Sequence, residues 1–177
     1  GSDSELSIDS ATGEVTLATD PNFEAQSQYS FTVVATDGAN NSADQQVTIT
    51  VNNLDEVAPT ITSADTAAAI DENTGAGQVV YTAIADDSSD VSNGVTFSLS
   101  DDSDSALSID ASTGEVSLDA DPDFETQSQY SFTVIASDGV NADSQQTVTL
   151  DINNVDEVAP VITSDSGSTI DENSGAG

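Results

Sequence analysis

DPNFEAQSQYSFTVVATDG occupies residues 20–38, and DPDFETQSQYSFTVIASDG occupies residues 121–139. Each copy ends in a run that alternates apolar and polar side chains, YSFTVVA or YSFTVIA, rich in aromatic and β-branched residues. Side chains on a strand point to opposite faces in turn, so this pattern marks a strand with one face buried. The Asp-Gly after each run is a turn signal. The same alternation recurs in VTITV (47–51), VTFSLS (95–100) and VTLDI (148–152). No convincing helical period is present, and the chain reads as all-β.

The two quoted stretches lie 101 residues apart, and the offset extends outward from them. LSIDSATGEV (6–15) returns as LSIDASTGEV (107–116), and VNNLDEVAPTITS (51–63) returns as INNVDEVAPVITS (152–164). IDENTGAG (70–77) returns as IDENSGAG (170–177) with one residue fewer between. Roughly two thirds of the aligned positions are identical, far above chance for a repeat. A unit of about one hundred residues has the size of a small β-sandwich.

The DEVAP segments, residues 55–59 and 156–160, follow alternating runs and end in a proline, which lacks the N–H needed to continue a ladder. Cutting there yields residues 1–56 as the C-terminal half of one repeat, 57–157 as a complete repeat and 158–177 as the start of another. The complete repeat holds seven expected strands, at 68–70, 78–85, 95–100, 107–109, 115–118, 130–137 and 147–153. The chain thus reads as a stretch that starts and stops inside the repeats of a longer tandem array. Half a sandwich leaves an apolar face open. Either that face is disordered or a neighbouring chain covers it.

Composition narrows the chemistry. The 177 residues include 33 Asp and Glu and no Lys, Arg, His or Cys, for a formal charge of -33. No side chain can neutralise a phosphate, which excludes a nucleic-acid groove and a surface for anionic lipid. No apolar stretch is long enough to insert in a membrane. Disulfides, thiolate or Schiff-base nucleophiles and a Ser-His-Asp triad are unavailable. Paired carboxylates, as in glycosidases, are the one acid–base device left. Near-identical tandem copies suit a scaffold better than a catalyst, and Tyr29 and Tyr130 sit at core positions of their strands rather than on a sugar platform. The expectation is therefore no enzyme. What abounds is carboxylate, amide and hydroxyl oxygen, the ligand set of a hard cation such as Ca²⁺.

Acidic residues also favour turns and solvate surfaces, and any one cluster can be read that way. Their recurrence at the repeat boundary distinguishes them. Carboxylates 4 Å apart repel by about 1 kcal/mol in water and about 4 kcal/mol at an effective dielectric of 20. A metal ion is the only cation available to relieve that repulsion.

Glu72-Asn73, Asp86-Asp87, Asn93, Asp123-Phe124-Glu125, Ala136-Ser137-Asp138-Gly139 and the linker running from Asn153 to Pro160 occur in an order that resembles the cadherin-like repeats of giant bacterial calcium-dependent surface adhesins, the RTX-type adhesin family. The resemblance implies a seven-stranded Greek-key β-sandwich of cadherin/Ig-like type, repeated in tandem. It also implies Ca²⁺ between consecutive units. At the first junction the implied ligands are Asn22 and Glu24 from the upstream half, Asn52, Asn53, Asp55 and Glu56 from the linker, and Asp86 or Asp87, Asn93 and Asp138 from the downstream unit. At the second they are Glu72, Asp123 and Glu125 with Asn153, Asn154, Asp156 and Glu157. The match has departures. The linkers read NNLDE and NNVDE where the family pattern is DxNDN, Ala85 stands at one Asp position, and Asn22 replaces an Asp. The implied function is a calcium-stiffened spacer of an extracellular adhesin or surface filament. Its partners would be neighbouring repeats of the same chain, with copies of itself as a second class. A homophilic or carbohydrate-binding adhesion module is the alternative, since Thr- and Ser-rich strand faces suit either role.

Overall fold

A computed structural model describes residues 4–164, 166–172 and 175. Of the repeats expected from the sequence, Gly1, Ser2, Asp3, Asp165, Asn173, Ser174, Ala176 and Gly177 lie outside the described residues. The described chain is all-β. The upstream half contains β1 (Leu6–Ile8), β2 (Val15–Leu17), β3 (Gln28–Thr36) and β4 (Ser42–Thr50). The downstream unit contains β5 (Thr60–Ile61), β6 (Ile70–Asp71), β7 (Gln78–Thr82), β8 (Ala85–Asp86), β9 (Thr96–Leu99), β10 (Leu107–Ile109), β11 (Glu115–Leu118), β12 (Gln129–Ser137) and β13 (Ser144–Asn153). No helix among the described residues is long and apolar enough to cross a membrane.

Two larger sheets build the unit, β6-β13-β12-β9 and β10-β11-β7, beside a two-stranded pair, β5-β8. The chain crosses between them after β9 and again after β11, which is Greek-key connectivity. β12 shows why. Tyr130, Phe132, Val134 and Ala136 are all buried, each two residues from the next, while the residues between them are exposed or half-buried. Tyr130, Phe132 and Val134 cluster with Val148, Leu150 and Ile152 of β13 and with Val116 and Leu118 of β11 across the sandwich. The Tyr81 ring stands edge-on to Phe132, 5.6 Å between centroids, a favoured aromatic geometry. The Tyr81 hydroxyl donates to the Ala64 carbonyl at 2.6 Å, so the ring is buried without stranding its polar end.

The strand expected over residues 78–85 is divided. β7 ends at Thr82, where Ala83 donates its N–H to the Gly114 carbonyl at 2.8 Å. Beyond Ile84 the chain pairs as β8 with β5 instead. The register between β11 and β7 also shifts at Val116/Ser117. A bulge of this kind bends the strand and increases its local twist. Gly114 permits the bend: its φ is +71°, and a Cβ there would lie 2.5 Å from the Ala83 carbonyl oxygen. The first expected strand, 68–70, is seen as β6, shifted toward Asp71 and running parallel beside the end of β13.

The upstream half repeats the sequence but not the burial. β1 pairs with β2 and β3 with β4, each as a two-stranded antiparallel ladder. Tyr29 and Phe31 are buried, yet Ile49 is 41% exposed where its repeat counterpart Leu150 is fully buried. The difference is what covers each face: in the complete unit β6 and β7 supply Ile70, Val80 and Tyr81.

Candidate metal centre

Six carboxylates converge where the upstream half meets the complete unit. They come from four segments. Asp55 and Glu56 lie in the linker between β4 and β5. Asp87 and Asp90 lie in the loop after β8, Asp138 follows β12, and Glu24 precedes β3. One oxygen from each of Asp55, Asp87 and Asp138 falls within 4.8 Å of the others, and the same holds for Glu24, Glu56 and Asp90.

Local hydrogen bonds aim these groups. Asp138 Oδ1 accepts the N–H groups of Val140 and Asn141, each at 2.8 Å, forming an Asx turn around Gly139. These two bonds and the Asn141 side chain hold the Asp138 carboxyl below its ordinary value. The Asn141 amide then bridges, donating to Asp138 Oδ2 at 3.0 Å and to Asp55 Oδ1 at 2.9 Å. The Asn53 amide donates to Asp90 Oδ1 at 3.0 Å. Asp90 is held low chiefly by the N–H of Val91, with Asn53 contributing, while burial opposes. Glu56 moves the other way. Burial raises it most, and the charges of Glu24, Asp90 and Asp55 raise it further.

Among the described residues, Asp55 Oδ2 and Asn53 Oδ1 are buried with no hydrogen-bond partner. A buried polar oxygen without a partner is costly, and here the chain has no Lys, Arg or His to offer. Both orphans are acceptors in a cluster of acceptors, an arrangement that a cation would satisfy. Oxygen donors only, several carboxylates and an Asn carbonyl fit Ca²⁺, which takes six to eight oxygens at about 2.3–2.6 Å. Two adjoining triads fit two ions, with the consecutive Asp55 and Glu56 serving one each.

The far end of the unit has a related group. Glu72, Asp123 and Glu125 bring one oxygen each within 4.8 Å. Glu72 is 3% exposed. Its two oxygens accept the N–H of Val155 at 2.7 Å and of Phe124 at 2.8 Å, which hold it low against burial. The Asn73 amide donates to Glu157 and lowers it, but burial and the charges of Glu72 and Glu125 outweigh that bond and raise it overall. The Asn154 amide donates to Glu125 at 2.8 Å.

Eight of the seventeen residues expected as ligands therefore fall in the three triads: Glu24, Asp55, Glu56, Asp87, Asp138, Glu72, Asp123 and Glu125. Asn53, Asn154 and Glu157 adjoin them through hydrogen bonds. The others are not among the carboxylates of the triads. Asn22 Oδ1 accepts the Ala25 N–H at 2.7 Å, Asp86 accepts that of Ser88 at 3.1 Å, and Asp156 accepts that of Val158 at 3.2 Å. Asn153 donates to Asp71 at 3.0 Å, Asn52 lines an apolar groove, and Asn93 is exposed outside the triads. Two residues of the cluster escaped the sequence pattern, Asp90 and Asn141. Asp87 and Asp90 are the pair that converges, three residues apart, where the family pattern suggested adjacent positions. Asn141 was legible in principle as the third residue after the turn-forming Asp138.

Residues 66–153 match the family model described as a cadherin domain. The complete unit is a cadherin domain. Residues 4–52 match a model described as a putative Ig domain. Human protocadherin Fat 1 is 34% identical over 163 residues, 89% of this chain and 4% of that protein. The Drosophila melanogaster protocadherin-like wing polarity protein stan is 30% identical over 161 residues, 86% of this chain and 4% of that protein. The chain thus spans a small fraction of the curated relatives it matches. Among solved structures, mouse cadherin-23 EC22-24 superposes with a TM-score of 0.59 at 22% identity, covering 85% of this chain and 50% of that one. The protocadherin GammaB4 extracellular domain superposes with a TM-score of 0.59 at 26% identity, covering 83% of this chain and 24% of that one.

Proposed function

We propose that the chain is a calcium-stiffened spacer of a large extracellular adhesin, of the bacterial surface type that its linkers and acid pairs resemble. Unit boundaries fall in the DEVAP segments, dividing the chain at residues 56/57 and 157/158. The observation that carries the reading is the buried, partnerless Asp55 Oδ2 inside a convergence of six carboxylates. Calcium there would be held by Asp55, Asp87 and Asp138 and by Glu24, Glu56 and Asp90, with the Asn53 carbonyl beside them. It supplies the positive charge that the side chains lack. Because the ligands come from the upstream half, the linker and the cadherin domain, shared ions tie three segments into one orientation. Without them, converging carboxylates repel and the linker is free to swing. Extracellular calcium modules bind at roughly 0.1–1 mM, so the joint stays stiff in calcium-rich surroundings and loosens when calcium falls.

The test pairs calorimetric calcium titration with small-angle scattering. Saturable binding, and a longer, narrower particle with calcium than with chelator, are the expected results. An absence of binding heat together with superimposable scattering curves defeats the proposal.

A further inference from the structure

Asn93 and Gly94 form the single Asn-Gly pair of the sequence. They lie in the irregular segment between β8 and β9, and Ser92, Asn93 and Gly94 are all exposed. Glycine has no side chain to shield its nitrogen. Gly94 sits at φ +99° with nothing within 4 Å of where a Cβ would be. An open cleft of about 500 Å³, lined by Asp86, Asp87, Ser92, Gly94 and Phe97 among others, admits water to the pair.

Most other asparagine side chains are committed. Asn53, Asn73, Asn141, Asn153 and Asn154 donate to carboxylates, and Asn22 accepts a backbone N–H. Among the described residues no hydrogen bond holds the Asn93 side chain. Asn40 and Asn52 are also exposed, but each precedes another asparagine, whose side chain crowds the following nitrogen. In Asp37-Gly38 and Asp138-Gly139 each carboxylate is tied by two turn N–H groups, and a carboxylate resists nucleophilic attack where an amide does not.

We propose that Asn93 is a site of self-modification whose rate the junction controls. The Gly94 nitrogen attacks Asn93 Cγ. A C–N bond forms, the bond from Cγ to the side-chain nitrogen breaks, and that nitrogen leaves as ammonia with the proton that Gly94 loses. Water then opens the cyclic imide at either carbonyl. Cleaving the N–Cγ bond leaves an aspartate. Cleaving the bond to the former backbone carbonyl leaves an isoaspartate, whose chain runs through Cβ. Either product adds a negative charge to the loop that carries Asp87 and Asp90, and the isoaspartate adds a backbone carbon.

Hydrogen bonds tie this pair to the junction. The Gly94 N–H donates to Ser92 Oγ at 3.0 Å, and the Ser92 hydroxyl donates to Asp87 Oδ2. The Gly94 nitrogen must leave that bond to attack, and local opening of this kind is easier in a loosely held loop. Calcium on Asp87 pins Ser92 and slows the attack, a dependence that rests on the function proposed for the junction. Loss of ammonia makes the change one-way, so it records the time a junction has spent without calcium.

The whole chain is incubated in mildly alkaline buffer, with millimolar calcium or with chelator. Trypsin has no Lys or Arg to cut, so chymotryptic peptides between Tyr81 and Phe97 are followed by mass spectrometry. Chromatography separates aspartate from isoaspartate. In chelator, conversion at Asn93 should run about tenfold or more faster than at Asn40 or Asn52. It should be several-fold slower in calcium, and absent in Asn93→Gln. Ser92→Ala, with the restraint gone, should convert equally fast in both buffers. Asn93 left intact in chelator, while the chain in denaturant converts, overturns the proposal. Equal rates in the two buffers, with calcium binding seen by calorimetry, overturn the control by the junction, as does Ser92→Ala that keeps the calcium protection. Equal rates with no binding heat remove the calcium site and leave the modification of Asn93 standing.

Discussion

Leu118 and Leu17 occupy the same position in the two repeats, yet the same substitution should have unequal consequences. Leu118 is fully buried between the sheets beside Val116, Phe132 and Leu150. Truncation to alanine there removes the transfer energy of the lost carbons and leaves a cavity that a packed sandwich cannot close. Such changes cost about 2.7–5 kcal/mol. Leu17 is half-buried and lines the open groove. Leu17→Ala leaves no enclosed cavity, so only part of the transfer energy is lost, about 1 kcal/mol. A domain of about 100 residues shifts its midpoint by about 4–8 °C per kcal/mol. Leu118→Ala should therefore lower the thermal midpoint of the cadherin domain by roughly 11–40 °C, and Leu17→Ala should leave that transition within a few degrees. Circular dichroism melts in calcium report both. Equal shifts would refute the premise that burial, rather than repeat position, decides the cost.

The junction and the bend carry further consequences. Asp87→Asn should weaken calcium binding about tenfold, the scale of one charge-bearing ligand, while Asp86→Asn, which alters only a turn to Ser88, should leave it unchanged; calorimetric titration separates the two. Glu56 is raised above its ordinary value of 4.5, first by burial and then by the charge of Glu24. The calcium-free folded state thus holds that proton more tightly than the unfolded chain. Its stabilising effect is full below 4.5 and disappears as pH rises through the folded value. Glu56→Gln should accordingly stabilise the calcium-free chain at pH 7 yet weaken calcium binding, and chemical denaturation with and without chelator would expose a failure of either half. Gly114→Ala meets both a φ of +71° and the Ala83 carbonyl at 2.5 Å, whereas Gly13→Ala meets the φ of +79° alone, with nothing within 4 Å. The first should cost about 2–3 kcal/mol or more and the second about 1 kcal/mol in denaturant titrations; equal costs would show that the close approach is unimportant.

Sequence alone determined the class of fold and the chemistry on offer. Alternation in YSFTVIA names the buried face of β12, because strand side chains alternate whatever their surroundings. The 101-residue offset reveals the unit, and the absence of every basic side chain leaves oxygen as the only ligand chemistry. Glu72, Asp123 and Glu125 were legible as a set only through the order of motifs that the chain shares with the cadherin-like repeats it resembles. Tertiary structure decided the rest. Asp86 and Asp87 are neighbours in the chain, but only Asp87 joins a triad at the junction, while Asp86 accepts the N–H of Ser88 on its own turn. The close backbone approach at Ala83 requires Gly114, some thirty residues away in sequence in the turn before β11, so no local pattern encodes it. The two repeats also differ in burial although their residues nearly agree, because burial belongs to whatever packs on a face and not to the face itself. Leu17 and Leu118 have the same side chain, and only the strands laid across Leu118 make it core.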